Sequence, residues 1–314
     1  MTRSVGTSPQ HIPITRDAFK PEDYASVPGK VAETNSHSPE KLEQVWRQVA
    51  ADGFVSRDEG RKVERAVVAN SFLLDRGFAP NTVEAKFIAT KLADPSVKLD
   101  PGVRARFESV LAERETRMDR GTVLTGTFKH ADKLHTLTEG VIDLPFEEFV
   151  KKMPPDRWGP NLAEYRGGEV KVTARDAQGR VTEQRERMVT ETPLSKYLRP
   201  LFGNYANDMT KVEKIVYDDK NRTVAVKWEV LASDNKTTLI DMGELRFSAR
   251  GGKTKAEFES EHRIDTFPGT LETIEKIPVL NRVVQGATET VMRDFFAACV
   301  KRYQDVATGA EPVR

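Results

Sequence analysis

The protein has 314 residues, and its 49 lysines and arginines nearly balance its 48 aspartates and glutamates. This balance excludes a global field that would draw the chain to nucleic acid or to an anionic membrane. The single cysteine, Cys299, excludes an intramolecular disulfide and a CxxC zinc or redox site. The sequence shows neither the apolar run of a secretory signal nor the ~18 consecutive apolar residues of a membrane span, which favours a cytoplasmic protein.

Residues 39–119 are predicted to form a small helical domain of four short helices, because apolar residues recur there at helical spacing. The segment before it, residues 1–38, is rich in Ser, Thr, Pro, Gly and His without sustained periodicity, which predicts a disordered head. The expected helix starts are Ser38-Pro39, Ser56 with Glu59, Asn81 with Glu84, and Asp100-Pro101. The helical domain is a candidate lid, adaptor or dimer surface, through which a protein partner would bind.

One segment of this domain resembles half of an EF-hand loop, within a helix pair near residues 40–75. Asp52–Glu59 carries Asp-Gly, an aliphatic residue two positions later, and a closing glutamate. A working calcium loop also needs carboxylates at its first and third positions, where Gln48 and Ala50 stand. We therefore predict a helix–turn–helix joint with a capping box and no metal site.

The second half of the chain changes to the period of two that is typical of strands. Residues 120–132 are predicted as a linker, with the end of the bundle plus a first extended segment as the alternative. A strand follows from Leu134, then a short helix that Pro145 opens, and then about six strand-like segments separated by turn signals. A long amphipathic helix over about 281–307 closes the domain, before a disordered tail at 308–314. Alternation of apolar and polar residues predicts antiparallel strands with one buried and one solvated face.

The order of these segments resembles the START-like superfamily, also called SRPBCC or helix-grip, over residues 133–307. The segments that carry the resemblance are Thr138–Val150 (TEGVIDLPFEEFV), Asp156-Arg-Trp158, Asp241-Met-Gly243, the Gly-Gly-Lys-Thr hairpin at 251–254, and the long last helix. The resemblance implies an α+β fold in which a curved antiparallel sheet grips the C-terminal helix, preceded by the small all-α bundle. It also implies a cavity for a hydrophobic small molecule or lipid, and it transfers no catalytic residue.

Eight side chains are expected to line that cavity, and core packing is the alternative for Trp228, Met292, Phe295 and Cys299. They are Trp158, Trp228, Phe247, Phe258, His262, Met292, Phe295 and Cys299. His262 follows Ala256, Phe258 and Ser260 in alternation, so it is either a partner for a ligand head group or a strand-end histidine satisfied by water. Trp158 either gates the cavity mouth or plugs the sheet edge.

The sequence thus predicts non-catalytic binding or transport of a hydrophobic small molecule or lipid, without a cofactor. No GxGxxG, Walker, HExxH or GxSxG motif stands in the strand–turn–helix setting that such chemistry needs. One alternative is a polyketide cyclase or dehydratase that uses His262 with Arg185 or Glu183 in the same cavity. The other alternative is a co-chaperone-like interaction module whose cavity is collapsed.

Overall fold

The computed structural model describes residues 39–70, 82–130, 133–191, 206–233, 238–264 and 278–314. Among these residues the chain divides into two compact units. One unit contains the described residues within 142–264 and 298–314, and the other contains those within 39–141 and 278–297. They are called the sheet unit and the helical unit below. No helix in the described ranges is both long and apolar enough to cross a membrane.

The helical unit contains the four helices that the apolar spacing predicts. They are α1 (Pro39–Val49), α2 (Arg57–Asn70), α3 (Thr82–Ala93) and α4 (Pro101–Asp119). The loops between them form a short parallel pair of strands, β1 (Phe54–Val55) and β2 (Lys98–Leu99). Trp46, Ile88 and Phe107 are buried in the core between the helices. This packing stabilises helices that would be too short to persist alone in water.

Two predicted helix starts form as expected. Glu59 accepts hydrogen bonds from the backbone nitrogen and the hydroxyl of Ser56, at 2.9 and 2.7 Å, which is the capping-box arrangement. Asp100 accepts from the backbone nitrogen of Gly102 at 2.8 Å and so caps α4. Glu59, the closing residue of the EF-hand-like segment, is therefore used as a cap. In the described part of the chain no group of three or more His, Cys, Asp or Glu side chains is placed to hold a metal ion.

Strand β3 (Leu124–His130) lies within residues 120–132, for which the sequence leaves open a linker or the end of the bundle plus a first extended segment. β3 pairs antiparallel with β4 (Lys133–Ile142), with Leu124 opposite Glu139. The sequence TVLTGTFKH in this region consists of small, polar and β-branched residues, which are compatible with a paired strand as well as with a linker.

The sheet unit confirms the predicted α+β class with antiparallel strands. After α5 (Phe146–Lys152) and a single 3₁₀ turn (Pro155–Arg157) come six long strands. They are β5 (Tyr165–Arg175), β6 (Val181–Glu191), β7 (Ala206–Asp218), β8 (Thr223–Ser233), β9 (Thr238–Arg250) and β10 (Lys253–Ile264). The spatial order follows the chain, from β5 to β10, with every neighbour antiparallel. The long last helix, α6, spans Pro278–Thr308.

The tail expected to be disordered at 308–314 folds back on the unit. Gly309 at φ 80° turns the chain at the end of α6. Arg302 forms an ion pair with Glu311 and donates to the carbonyl of Pro312 at 2.7 Å. The backbone nitrogen of Arg314 donates to Oδ1 of Asn161 at 3.2 Å. These contacts order the tail against the segment that follows the 3₁₀ turn.

Candidate functional site

The strand register brings four polar side chains together on one face of the sheet. Glu186 on β6 lies opposite Lys211 on β7, and Gln184 lies opposite Glu213. Side chains directly opposed in an antiparallel pair project from the same face. We call this the inner face of the sheet, and we call Gln184, Glu186, Lys211 and Glu213 the polar cluster.

The same register continues the inner face across β8, β9 and β10, where it is mostly apolar. Glu213 lies opposite Trp228, which lies opposite Gly243. The neighbouring rows contain Ile215, Val226, Leu245 and Phe258, and then Tyr217, Val224, Phe247 and Ala256. The inner face therefore joins a polar end on β6 and β7 to an apolar surface on β8 to β10.

The polar cluster is held by one ammonium group between two carboxylates. Nζ of Lys211 lies 2.9 Å from Oε2 of Glu186 and 2.6 Å from Oε1 of Glu213. The side-chain exposures of these three residues are 7%, 0% and 3%. Nε2 of Gln184 donates to Oε2 of Glu213 at 2.5 Å, which turns the amide oxygen away from that carboxylate. Oε1 of Gln184 and Oε1 of Glu186 are buried and accept no hydrogen bond from any residue that the structure describes.

Burial dominates the electrostatics of this site. It raises the pKa of Glu186, and the charge of Glu213 adds to the rise, against the opposing effect of Lys211. The pKa of Lys211 also ends above its ordinary value, because the attraction of Glu213 and Glu186 outweighs the burial that lowers it. Lys211 therefore stays charged at any physiological pH.

A loop and the last helix cover the polar cluster. A methyl group at Gly159 would clash with both carboxylate oxygens of Glu186, so the backbone at Gly159 lies directly against that carboxylate. The hydroxyl of Tyr303 on α6 donates to the carbonyl of Trp158 at 3.1 Å. The backbone nitrogen of Ala163 donates to Sγ of Cys299 at 3.5 Å. We call residues 158–165 the covering loop.

An aromatic core anchors the covering loop beside the cluster. The ring of Trp158 lies 4.3 Å from that of Phe247 and 6.4 Å from that of Phe149, between centroids. Phe247 also contacts Tyr303, with centroids 5.8 Å apart, so α6 packs on the inner face at this point. Nε1 of Trp158 donates to the carbonyl of Met153 at 2.8 Å. All four aromatic side chains are buried, which fixes one end of the inner face as solid core.

The other end of the inner face keeps accessible apolar surface. Trp228, Val230 and Phe258 are only half-buried. The rings of Trp228 and Phe258 stack with centroids 5.1 Å apart, and Nε1 of Trp228 donates to Asp241 at 3.2 Å. Val230 lies opposite Lys211, as Trp228 lies opposite Glu213. This strip of Trp228, Val230 and Phe258 therefore borders the polar cluster directly.

The structure brings several of the eight predicted residues to the inner face, in two groups. Trp158 and Phe247 meet in the aromatic core, while Trp228 and Phe258 form the accessible strip. Cys299 is buried under the covering loop, and burial raises the pKa of its thiol to about 12, so it is no nucleophile. Phe295 is half-buried on α6. The side chains of His262 and Met292 lie outside the described residues, although their backbones belong to β10 and α6.

The residues suggested for a catalytic role on β6 lie on the opposite face. Arg185 and Arg187 are exposed, and Arg187 donates to the carboxylate of Asp208 at 3.1 and 2.6 Å. Glu183 accepts a hydrogen bond from Thr173 at 2.9 Å. Arg185 and Glu183 are therefore not available to a site on the inner face.

The polar cluster itself is absent from the sequence-based set, although a signal for it existed. Met209 and Ile215 flank Lys211 and Glu213 at steps of two on β7, and both are buried. On β6, Met188 stands at the same step from Glu186. Apolar residues at both ends of an alternating polar pair indicate that the pair shares their buried face.

Comparisons with known proteins add similarities at the level of solved structures. No family model matches the chain, and no curated protein matches it. Human StAR-related lipid transfer protein 5 is 14% identical, with a TM-score of 0.39 over 66% of this chain and 98% of that chain. The Zhui aromatase/cyclase from Streptomyces sp. R1128 is 12% identical, with a TM-score of 0.35 over 55% and 96%. The STAR-related lipid transfer protein from Xanthomonas axonopodis is 10% identical, with a TM-score of 0.34 over 50% and 88%.

Proposed function

We propose that the sheet unit binds a small apolar molecule along the inner face of the sheet, without catalysing its conversion. The observation that carries this proposal is the adjacency of two features. An accessible apolar strip, formed by Trp228, Val230 and Phe258, directly borders a buried polar cluster. An apolar wall with a few convergent polar groups is the usual composition of a small-molecule site.

The composition of the cluster supports a binding role over a purely structural one. Burying the charges of Glu186, Lys211 and Glu213 costs free energy, and apolar residues of similar volume would often give equal or greater stability. Buried polar atoms in folded proteins normally have hydrogen-bond partners, yet Oε1 of Gln184 and of Glu186 have none among the described residues. A ligand that approaches from the strip would supply partners of this kind.

A charge placed in the strip tests the proposal. Val230→Glu would place a carboxylate on the apolar strip, whereas Val216→Glu makes the same change on the opposite face, where Val216 is 52% exposed. We expect the uncharged dye Nile red to bind the natural protein, and Val230→Glu to weaken its binding about tenfold or more, with Val216→Glu unchanged. Binding is measured by the rise in dye fluorescence during titration.

Two outcomes would reject the proposal. If the natural protein takes up no Nile red, and native mass spectrometry finds no apolar compound bound after incubation with a lipid extract, the inner face is not a ligand site. That result would favour the alternative of an interaction module with a collapsed cavity. Equal weakening by Val230→Glu and Val216→Glu would show that the dye binds elsewhere.

A further inference from the structure

The polar cluster offers an incoming ligand oxygen atoms that can accept hydrogen bonds. Lys211 directs its ammonium group to two carboxylates, and Gln184 directs its amide nitrogen to Glu213. Among the described residues, the oxygens that accept no hydrogen bond are Oε1 of Gln184 and both Oε1 and Oε2 of Glu186, of which Oε2 lies 2.9 Å from Nζ of Lys211.

The net charge of the cluster also disfavours a ligand with an anionic head group. One ammonium group faces two carboxyl groups, so the cluster carries no excess positive charge in either protonation state of Glu186. Of the neighbouring groups of the inner face, Trp228, Val230 and Gly243 are uncharged, and Asp241, which accepts from Nε1 of Trp228, adds a carboxylate. An anionic head group would be desolvated here without a compensating partner, which is costly.

From these groups we infer that the ligand carries a hydrogen-bond donor, an amino or hydroxyl group, at its polar end, and that this group binds Oε1 of Glu186 and Oε1 of Gln184. This inference rests on the proposed function, because it assigns the head group of the same ligand. The apolar part of the molecule lies along Trp228, Val230 and Phe258.

The donor reaches these oxygens only if the covering loop gives way. Both acceptor atoms have no accessible surface, and the backbone at Gly159 lies against the Glu186 carboxylate. The amino or hydroxyl group therefore takes a place beside Glu186 that the loop at Gly159 now closes. The backbone at Gly159 forms no hydrogen bond with the Glu186 carboxylate, whereas the amino or hydroxyl group of the ligand would form one. The free energy of this new hydrogen bond offsets part of the cost of moving the loop.

Three probes with the same alkyl chain and different ends test the inference. Decylamine, decanol and decanoate are titrated into the full-length protein below their aggregation concentrations, with calorimetry as the readout. We expect decylamine and decanol to bind at least about tenfold more tightly than decanoate, since a hydrogen bond to a charged group contributes that much. If decanoate binds as tightly as decylamine, the inference is wrong and the proposed function stands. If none of the three binds, the proposed function fails with it.

A matched pair of variants locates the effect. Glu186→Gln replaces an acceptor oxygen of the cluster, and we expect it to reduce the preference for decylamine over decanoate about tenfold. Glu183→Gln makes the same change on the outward face of the same strand and should leave the preference as it is. An unchanged preference in folded Glu186→Gln would overturn the assignment of the head group to this carboxyl. The ranking of the three probes on the natural protein remains decisive if that variant does not fold.

Discussion

Lys211 is the residue on which the buried charges depend. Its ammonium group lies within 2.9 Å of carboxylate oxygens of both Glu186 and Glu213, and all three side chains are buried. Lys211→Met keeps the length of the side chain and removes the charge, which leaves two carboxyl groups facing each other in a medium of low polarity. We expect the free energy of unfolding to fall by about 3–5 kcal/mol, the usual loss when one partner of a buried ion pair is removed.

Urea denaturation of Lys211→Met and Lys214→Met measures this effect with its control. Lys214 lies on the same strand, three residues away, and its side chain is exposed. Its substitution should change stability by no more than about 0.5 kcal/mol. Similar stabilities for the two variants would mean that the cluster is not the buried ion pair that its geometry indicates.

Glu186 should give the folding stability a specific dependence on pH. Its pKa in the folded protein is raised above the ordinary value of 4.5, so the folded state binds its proton more tightly than the unfolded chain does. The stabilising contribution is fully present below pH 4.5 and is lost as the pH rises through the folded-state pKa. Glu186→Gln cannot titrate, so its stability relative to the natural protein should increase as the pH rises from 4.5 to about 7.

Urea denaturation across that pH range tests the sign. Glu183→Gln, on the outward face of β6, is the control and should follow the natural protein at every pH. The stability of Glu186→Gln relative to the natural protein should increase with pH. A raised pKa in the folded state would be contradicted if this relative stability stays constant or decreases.

The alternation in the sequence marks the apolar part of the inner face more clearly than its polar part. Trp228 and Phe258 stand in a clear alternation with charged residues, whereas Phe247 enters the predicted set through the family resemblance. Gln184 and Glu186 stand among arginines and glutamates, so the sequence of β6 does not indicate which face of the strand is exposed to solvent. Burial of one face is decided by the pairing with β7, which depends on contacts that a single strand's sequence does not encode.

At the scale of whole elements, periodicity and start signals indicate the described helices and the strands β4 to β10, but not the two-residue strands β1 and β2. The six antiparallel strands and the last helix follow from alternation and from the turn signals at Asp176, Asp218 and Arg250. The register between β5 and β6 shifts at Ala174, so Val181 and Gln184 are both buried although they differ in parity. A bulge of this kind reverses which face a residue occupies, and sequence alternation alone does not reveal it.

The tail is an element in its own right because it braces the covering loop. Oδ1 of Asn161 accepts from Nη2 of Arg302 at 3.3 Å and from the backbone nitrogen of Arg314 at 3.2 Å. Asn161 is completely buried. Asn161→Ala removes the shared acceptor of helix and tail, so we expect a loss of about 1–3 kcal/mol and faster hydrogen exchange at residues 159–165 and 309–314.

Asn221→Ala provides the control for the tail. Asn221 lies in the exposed turn between β7 and β8, where its side chain donates only to Asp218 at 2.6 Å. Exchange in the covering loop should not change in this variant. If Asn161→Ala also leaves exchange in the loop and the tail unchanged, the tail does not brace the loop.

At the scale of the whole molecule, the observed units differ from the predicted domains. The prediction separated helices at 39–119 from a sheet domain that starts at 133, whereas the structure groups β3 and β4 up to Val141 with the helices. The last helix is divided as well, since residues up to Ala297 belong to the helical unit and later ones to the sheet unit. A change of period marks where strands begin, but a unit is defined by what its side chains pack against.

The side chain of Arg114 explains why β4 groups with the helices, and it provides the last prediction. Arg114 is buried on α4 and forms an ion pair with Glu139 on β4. It also donates to the hydroxyl of Thr82 on α3 at 3.0 Å. The Thr82 hydroxyl in turn donates to the carbonyl of Leu124 on β3 at 3.1 Å. Arg114→Met should therefore lower the free energy of unfolding by about 3–5 kcal/mol and speed amide exchange in β4. Arg104→Met removes only an exposed pair on the same helix, 3.6 Å from Glu108, and should cost no more than about 1 kcal/mol. Because the two variants lose the same charge from one helix, equal unfolding free energies would mean that α4 and β4 are not joined through Arg114.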